Sequence, residues 1–142
     1  MSFFLEEGKL IVSRKVLSVV LVPVALLVSG CGTVQTYDGP KRAAHEVSVL
    51  KTNVGELTLD TTWIGQIDGK ELVLAYSVVE IMPGRRSLRV NFKRGFIARS
   101  ETVALDARAG RTYRLKGELS SGKLYPWIED ESTGEVVAGV KP

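Results

Sequence analysis

Hydrophobic and polar residues alternate in short runs over most of the chain beyond residue 46. The clearest run holds Leu88, Val90 and Phe92 between Arg89, Asn91 and Lys93. Alternation sends successive side chains to opposite faces of a strand, so this run predicts a half-buried β-strand. Similar patterns predict strands at residues 47–50, at 56–60 (Leu57 and Leu59), at 63–67, around Val103 and Leu105, at Tyr113 and Leu115, at 125–128 and at 136–140. Turn residues punctuate them. Asp68-Gly69 is a hairpin signal because Gly adopts positive φ without steric cost. Pro83-Gly84 fits the two central positions of a tight turn. Ala109-Gly110, Ser121-Gly122 and Thr133-Gly134 mark the later turns. Residues 71–81 (ELVLAYSVVEI) read either as a buried strand or as one short helix followed by a strand.

This spacing of turns predicts an all-β, mainly antiparallel fold. The expected form is a small β-sandwich or partly open barrel of about seven or eight short strands. Residues 46–142 would form this domain.

The N-terminal part has a different pattern. Arg14 and Lys15 precede an uncharged apolar run, residues 16–28, interrupted by Pro23. That run is well short of the roughly 20 residues of a transmembrane helix. It has the proportions of a secretory signal: a basic start, an apolar centre and small residues at the end. The end reads Val28-Ser29-Gly30-Cys31. Taken with the preceding run, this resembles the signal peptide and lipobox of bacterial lipoproteins. The resemblance implies cleavage before Cys31, a diacylglycerol on its sulfur and acylation of its new amine. Multiple acyl chains make a stable membrane anchor. Gly32 stands where an aspartate would favour inner-membrane retention. By the same resemblance, the expected address is the outer membrane, facing the periplasm. Residues 1–30 would be a removed signal-peptide helix, and 31–45 a lipidated cysteine with a flexible tether. Residues 32–44 carry Gly, Pro and polar side chains without apolar periodicity, and fully extended they would reach about 40 Å.

The strings IDGK, VVEIMPGRRSLRV and VALDARAGRTYRLKGEL follow one another in the β-rich part. Their order is similar to PEGA-type and carboxypeptidase-regulatory-like β-sandwich domains. The residues that carry the likeness are Pro83, Gly84, Leu88, Val90, Ala109, Gly110 and Tyr113. It spans residues 47–130, although the Pro-Glu-Gly-Ala string itself is missing. It implies a non-enzymatic domain, an argument from fold analogy alone.

Candidate chemistry adds little to that picture. The chain has one Cys and one His, with a formal net charge of +3. Near-balance of charge gives no basis for nucleic-acid binding. A nucleophile–histidine arrangement needs both partners, and Cys31 is assigned to lipid while His45 follows the tether. His45 reads as solvated, with a pH-sensitive contact as its alternative. Carboxylates gather at Glu129, Asp130, Glu131 and Glu135. They read as a solvated hairpin, with Ca²⁺ binding as the alternative, though the EF-hand spacing is missing. Trp63, Tyr76, Tyr113, Tyr125 and Trp127 read as core, with glycan stacking as the alternative. No catalytic residue, metal or cofactor is assigned.

Charge order is more informative. Arg85, Arg86, Arg89, Lys93 and Arg94 occur with no acid between them. If Leu88, Val90 and Phe92 face the core, Arg89 and Lys93 share the outer face. These five residues form a candidate surface for anionic lipid, lipopolysaccharide or an acidic envelope partner. The expected function is therefore a membrane-anchored, non-enzymatic periplasmic binding or accessory module. The alternative is a structural or stress-related lipoprotein whose basic strand contacts anionic lipid. A carboxylate-dependent hydrolase is the least supported class.

Overall fold

A computed structural model describes residues 32–142. The signal segment and Cys31 lie outside the described residues. The described part is all-β, apart from one 3₁₀ turn at Ala44–Glu46, and its ten strands form two sheets. In chain order they are β1 Thr33–Gln35, β2 Ser48–Lys51, β3 Asp60–Ile67, β4 Lys70–Glu71, β5 Val78–Ile81, β6 Gly84–Arg94, β7 Ile97–Ala107, β8 Thr112–Ser120, β9 Lys123–Asp130 and β10 Val136–Gly139. One sheet has the order β1-β5-β2-β8-β9-β10 and the other β4-β3-β6-β7. Pairing is antiparallel except at β1–β5 and β2–β8. The sheets pack as a β-sandwich, not a closed barrel.

Alternation explains the sandwich directly. In β6 the side chains of Leu88, Val90 and Phe92 are buried. The facing sheet contributes Leu50, Val79, Ile81, Tyr113, Leu115 and Ile128 to the same core. Burying each large apolar side chain is worth about 1.5–3 kcal/mol. Two turns have the left-handed backbone that their sequence calls for. Asp68 and Gly69 have φ of 50° and 81°, and Ser121 and Gly122 have φ of 52° and 76°. Both are two-residue hairpin loops whose twist matches right-handed strands.

Tyr113 is buried at the start of β8, and its phenolic oxygen accepts a 2.9 Å hydrogen bond from the Arg108 backbone N–H. The ring thus fills the core while its hydroxyl fixes the Ala109-Gly110 turn between β7 and β8.

Four expectations are corrected. The first concerns the tether. Thr33–Gln35 adds to the open edge of β5 as a parallel strand. The Thr36 N–H and hydroxyl both donate to the Glu80 carbonyl, at 3.2 and 2.8 Å. Tyr37 Oη donates to the Glu80 carboxylate at 3.2 Å, and Lys41 Nζ lies 3.5 Å from it. Backbone pairing to a vacant sheet edge orders a segment too short to show periodicity.

Secondly, residues 56–60 are no strand before Asp60. Asn53 organises them as a loop, donating to the Asp60 carbonyl and accepting from the Thr62 N–H, both at 2.7 Å. Leu57 and Leu59 alternate in sequence, but both are exposed. Thirdly, residues 71–81 are neither one strand nor a helix and strand. They comprise the end of β4, a loop over 72–77 and then β5. Finally, the strands number ten because two short pieces that the pattern did not announce, β1 and β4, complete sheet edges. Strands this short carry too little pattern to be counted in advance.

Candidate functional site

The basic run lies on β6, a central strand flanked by β3 and β7. Its register places Gln66, Arg89 and Thr102 side by side, then Trp63, Asn91 and Ser100, then Thr61, Lys93 and Ala98. Because Leu88, Val90 and Phe92 are buried, these rows form the outer face of the sheet. Arg89 and Lys93 do share it.

The five cations are nonetheless not one open surface. Arg86 is on the inward parity and folds back at the sandwich margin. Its Nε and Nη2 donate to the Met82 and Pro83 carbonyls, each at 2.9 Å, and its Nη1 lies 3.0 Å from Asp68 Oδ2. Asp68 in turn accepts the Ser87 N–H at 2.8 Å. Arg86 therefore clamps the Pro83-Gly84 turn to the Asp68-Gly69 hairpin. Arg89 Nη2 lies 3.4 Å from Glu71, while its Nε is buried without a hydrogen-bond partner. Arg94 makes a two-point pair with Asp60 and lies 5.8 Å above the Phe92 ring. Arg85 and Lys93 are exposed and make no ion pair among the described residues. Arg85 sits opposite Asp106 in the register.

These pairings set the electrostatics. Asp60 is pulled below the ordinary carboxylate range, chiefly by the hydrogen bond from Arg94. Asp68 is also lowered, first by the Ser87 N–H and then by Arg86. Hydrogen bonds to a carboxylate favour its charged form. Carboxylates contributed by β3, β4 and the turn between them thus neutralise three of the five cations, though all are distant in sequence.

The acidic group at the β9–β10 hairpin is bound up in a similar way. Asp130 accepts from the Ser132 hydroxyl and N–H, at 2.6 and 2.9 Å, and its carboxyl is lowered mainly by that hydroxyl. Glu129 accepts from Trp127 Nε1 at 3.0 Å and pairs with Lys116, and its carboxyl is lowered first by Trp127. Glu131 pairs with Lys51 at 3.1 Å. Arg108, Arg111, Tyr113, Asp106 and Asp130 line a nearby cleft of about 450 Å³. Its charges of opposite sign face one another, with Arg111 3.7 Å from Asp130. Among the described residues, no group of three or more His, Cys, Asp or Glu is placed to hold a metal ion. Likewise no helix among them is long and apolar enough to cross a membrane.

His45 is exposed in the 3₁₀ turn. Of the aromatics, Tyr113 and Trp127 are buried, while Trp63, Tyr76 and Tyr125 are half-buried. They do not form a common platform: Trp63 is on the outer face of β3, and Tyr113 is inside.

The feature that sequence reading passes over is a set of apolar side chains standing in water: Leu57, Leu59, Val73, Leu74 and Phe96. Leu57 and Leu59 precede Asp60, which pairs with Arg94, and Phe96 follows Arg94 by two residues. After β4 the chain runs back along β3 towards the same end, since the Leu72 N–H donates to the Gly65 carbonyl. Alternation and turn propensity concealed these residues, because an exposed leucine and a core leucine look alike in a local pattern. No protein-family model, no curated protein and no solved structure matches this chain.

Proposed function

We propose that this chain is a lipid-anchored bacterial envelope protein, attached through Cys31, whose β-sandwich serves as a non-enzymatic binding or accessory module facing the periplasm from the outer membrane. One observation carries the reading: Val28-Ser29-Gly30-Cys31 follows a basic start and a short apolar run. Small residues suit the narrow, extended peptide that a signal peptidase must hold, and only a thiol supplies the sulfur for thioether attachment. The described polar groups support the non-enzymatic part of the reading. Asp68, Glu129 and Asp130 are all engaged in holding turns or neighbouring side chains. The basic run of β6 supports a contact with anionic lipid only through Arg85 and Lys93, since Arg86, Arg89 and Arg94 have carboxylate partners.

Metabolic labelling with a palmitate analogue tests the anchor. Wild type is expected to carry label and sediment with membranes, and Cys31→Ser to do neither. Equal labelling of the two proteins would remove the basis of the proposal. Chemical cross-linking in intact envelopes tests the accessory role, and a reproducible partner or envelope ligand is the expected result.

A further inference from the structure

The exposed apolar residues occupy the end of the sandwich at which the described chain begins. The Gly32 carbonyl accepts hydrogen bonds from the Val78 N–H at 3.2 Å and the Ser77 hydroxyl at 3.3 Å. The Ser77 carbonyl accepts from the Thr52 N–H at 2.9 Å, and the Tyr76 carbonyl accepts from the Thr52 hydroxyl at 2.7 Å. Gly32 is thereby connected through Ser77 to Thr52, where the 52–59 loop leaves β2. The same bonds reach the 72–77 loop. Leu57 and Leu59 are carried by the first loop, Val73 and Leu74 by the second. Phe96, at 109% relative exposure, forms the tip of the adjacent β6–β7 turn. Arg99 Nε donates to the Gly122 carbonyl at 3.1 Å, which brings the β8–β9 turn to this end as well.

Cys31 is the covalent neighbour of Gly32. Consecutive Cα atoms are separated by about 3.8 Å across a trans peptide. A lipid on Cys31 therefore sits one residue from a backbone carbonyl already bonded into the sheet. No spacer of tens of ångströms lies between lipid and fold.

Charge at this end suits such a surface. Lys93 and Arg99 lie on the strands that lead into and out of the Phe96 turn, and Lys123, 5.6 Å from the Tyr125 ring, follows Gly122, to whose carbonyl Arg99 donates; none of the three makes an ion pair among the described residues. Two of the acids near this end are paired, Asp60 with Arg94 and Glu56 with Arg114, while Glu101 and Glu118 make no ion pair among the described residues. Apolar side chains rimmed by basic ones are the composition of segments that lie at a lipid interface.

We propose that this end of the sandwich lies in the headgroup layer of the bilayer that holds the Cys31 lipid. Leu57, Leu59, Leu74 and Phe96 reach the acyl boundary, while Lys93, Arg99 and Lys123 sit at the phosphates. The inference rests on the anchor reading and adds an orientation to it: the Ala109-Gly110 turn, at the other end, points away from the membrane.

Single cysteines placed at Leu57, Phe96 or Ala109 in the full, lipidated protein test this. The Cys31 sulfur, being a thioether, does not react with the labelling reagent. Each protein is labelled with nitrobenzoxadiazole and reconstituted in phosphatidylethanolamine–phosphatidylglycerol vesicles, with or without doxyl-labelled lipid. Mass spectrometry of the N-terminal peptide reports the lipid independently. L57C and F96C are expected to be quenched several-fold more strongly than A109C. Equal quenching at all three sites, with lipid present on Cys31, overturns the orientation and leaves the anchor standing. A blue-shifted but unquenched probe at 57 or 96 also overturns it, by showing that a protein covers this end. An N-terminal peptide without lipid overturns anchor and orientation together.

Discussion

Asp60 and Arg94, separated by thirty-four residues in sequence, close the first row of the β3–β6 ladder, with Asp60 Oδ2 accepting from Arg94 Nη2 at 2.6 Å. The pair joins the loop that carries Leu59 to the turn that carries Phe96. It also removes Arg94 from the set of freely available cations on β6.

The pH dependence of stability follows from Asp60 and Asp68. Both carboxyls are lowered in the fold, Asp60 by Arg94 and Asp68 by the Ser87 N–H and then Arg86. A carboxyl with a depressed folded-state pKa contributes stability above its unfolded value, near 3.9, and loses it as pH falls through the folded value. Thermal midpoints measured by circular dichroism are expected to be level from about pH 7 to 5 and to fall below about pH 4. Asp60→Asn should melt slightly below wild type at pH 6, and the difference should shrink towards about pH 2.5. An undiminished difference at that pH would contradict the assignment.

Arg86 and its neighbours on β6 separate structural from surface cations. Arg86→Gln removes an ion pair and two bonds to turn carbonyls. Urea unfolding should show a loss of about 1–2 kcal/mol. Arg85→Gln and Lys93→Gln, both at exposed positions, should stay within about 0.5 kcal/mol of wild type. Equal losses for all three would mean that the turn clamp contributes nothing.

Gly139 stands where the backbone leaves no room for a side chain, and Gly65 where a neighbouring side chain would have to move. Gly65, at the irregularity in the β3–β6 register, faces Asn91, and an added Cβ would collide with that amide. Gly139 has φ of 72°, and its Cβ would meet the Pro126 carbonyl and come within 2.8 Å of Trp127 Cα. Gly139→Ala, which would strike backbone, is expected to cost about 1–3 kcal/mol, and Gly65→Ala less, because the Asn91 side chain can turn aside. Gly69→Ala, with nothing within 4 Å of the added carbon, tests backbone conformation alone and should cost less. A Gly69→Ala loss as large as that of Gly139→Ala would show that positive φ, not space, decides.

Tyr113→Phe keeps the buried ring and deletes the acceptor of the Arg108 N–H. A loss of about 1 kcal/mol is expected. Hydrogen exchange at the Arg108 amide should accelerate more than exchange in β3, because the damage is confined to the β7–β8 turn.

Much of the fold was legible locally. Leu88, Val90 and Phe92 state their burial by alternation, and Asp68-Gly69 and Ser121-Gly122 state their turns by their tolerance of positive φ. The candidate surface was legible only as a list of cations. The acids that answer Arg86, Arg89 and Arg94 come from β3, β4 and the turn between them. Which acid faces which arginine depends on strand register, a relation between distant segments.

The sequence by itself determined the β class and the hairpin turns, because each is written in neighbouring residues. Tertiary structure alone decided that Thr33–Gln35 is an edge strand, that Leu57 and Leu59 face water, and that Gly32 joins the fold beside the exposed apolar loops. The physical reason is common to all three. Periodicity constrains which way a side chain turns relative to its neighbours, but whether a sheet edge is vacant, or a face covered, is set by segments that meet only when the chain closes on itself.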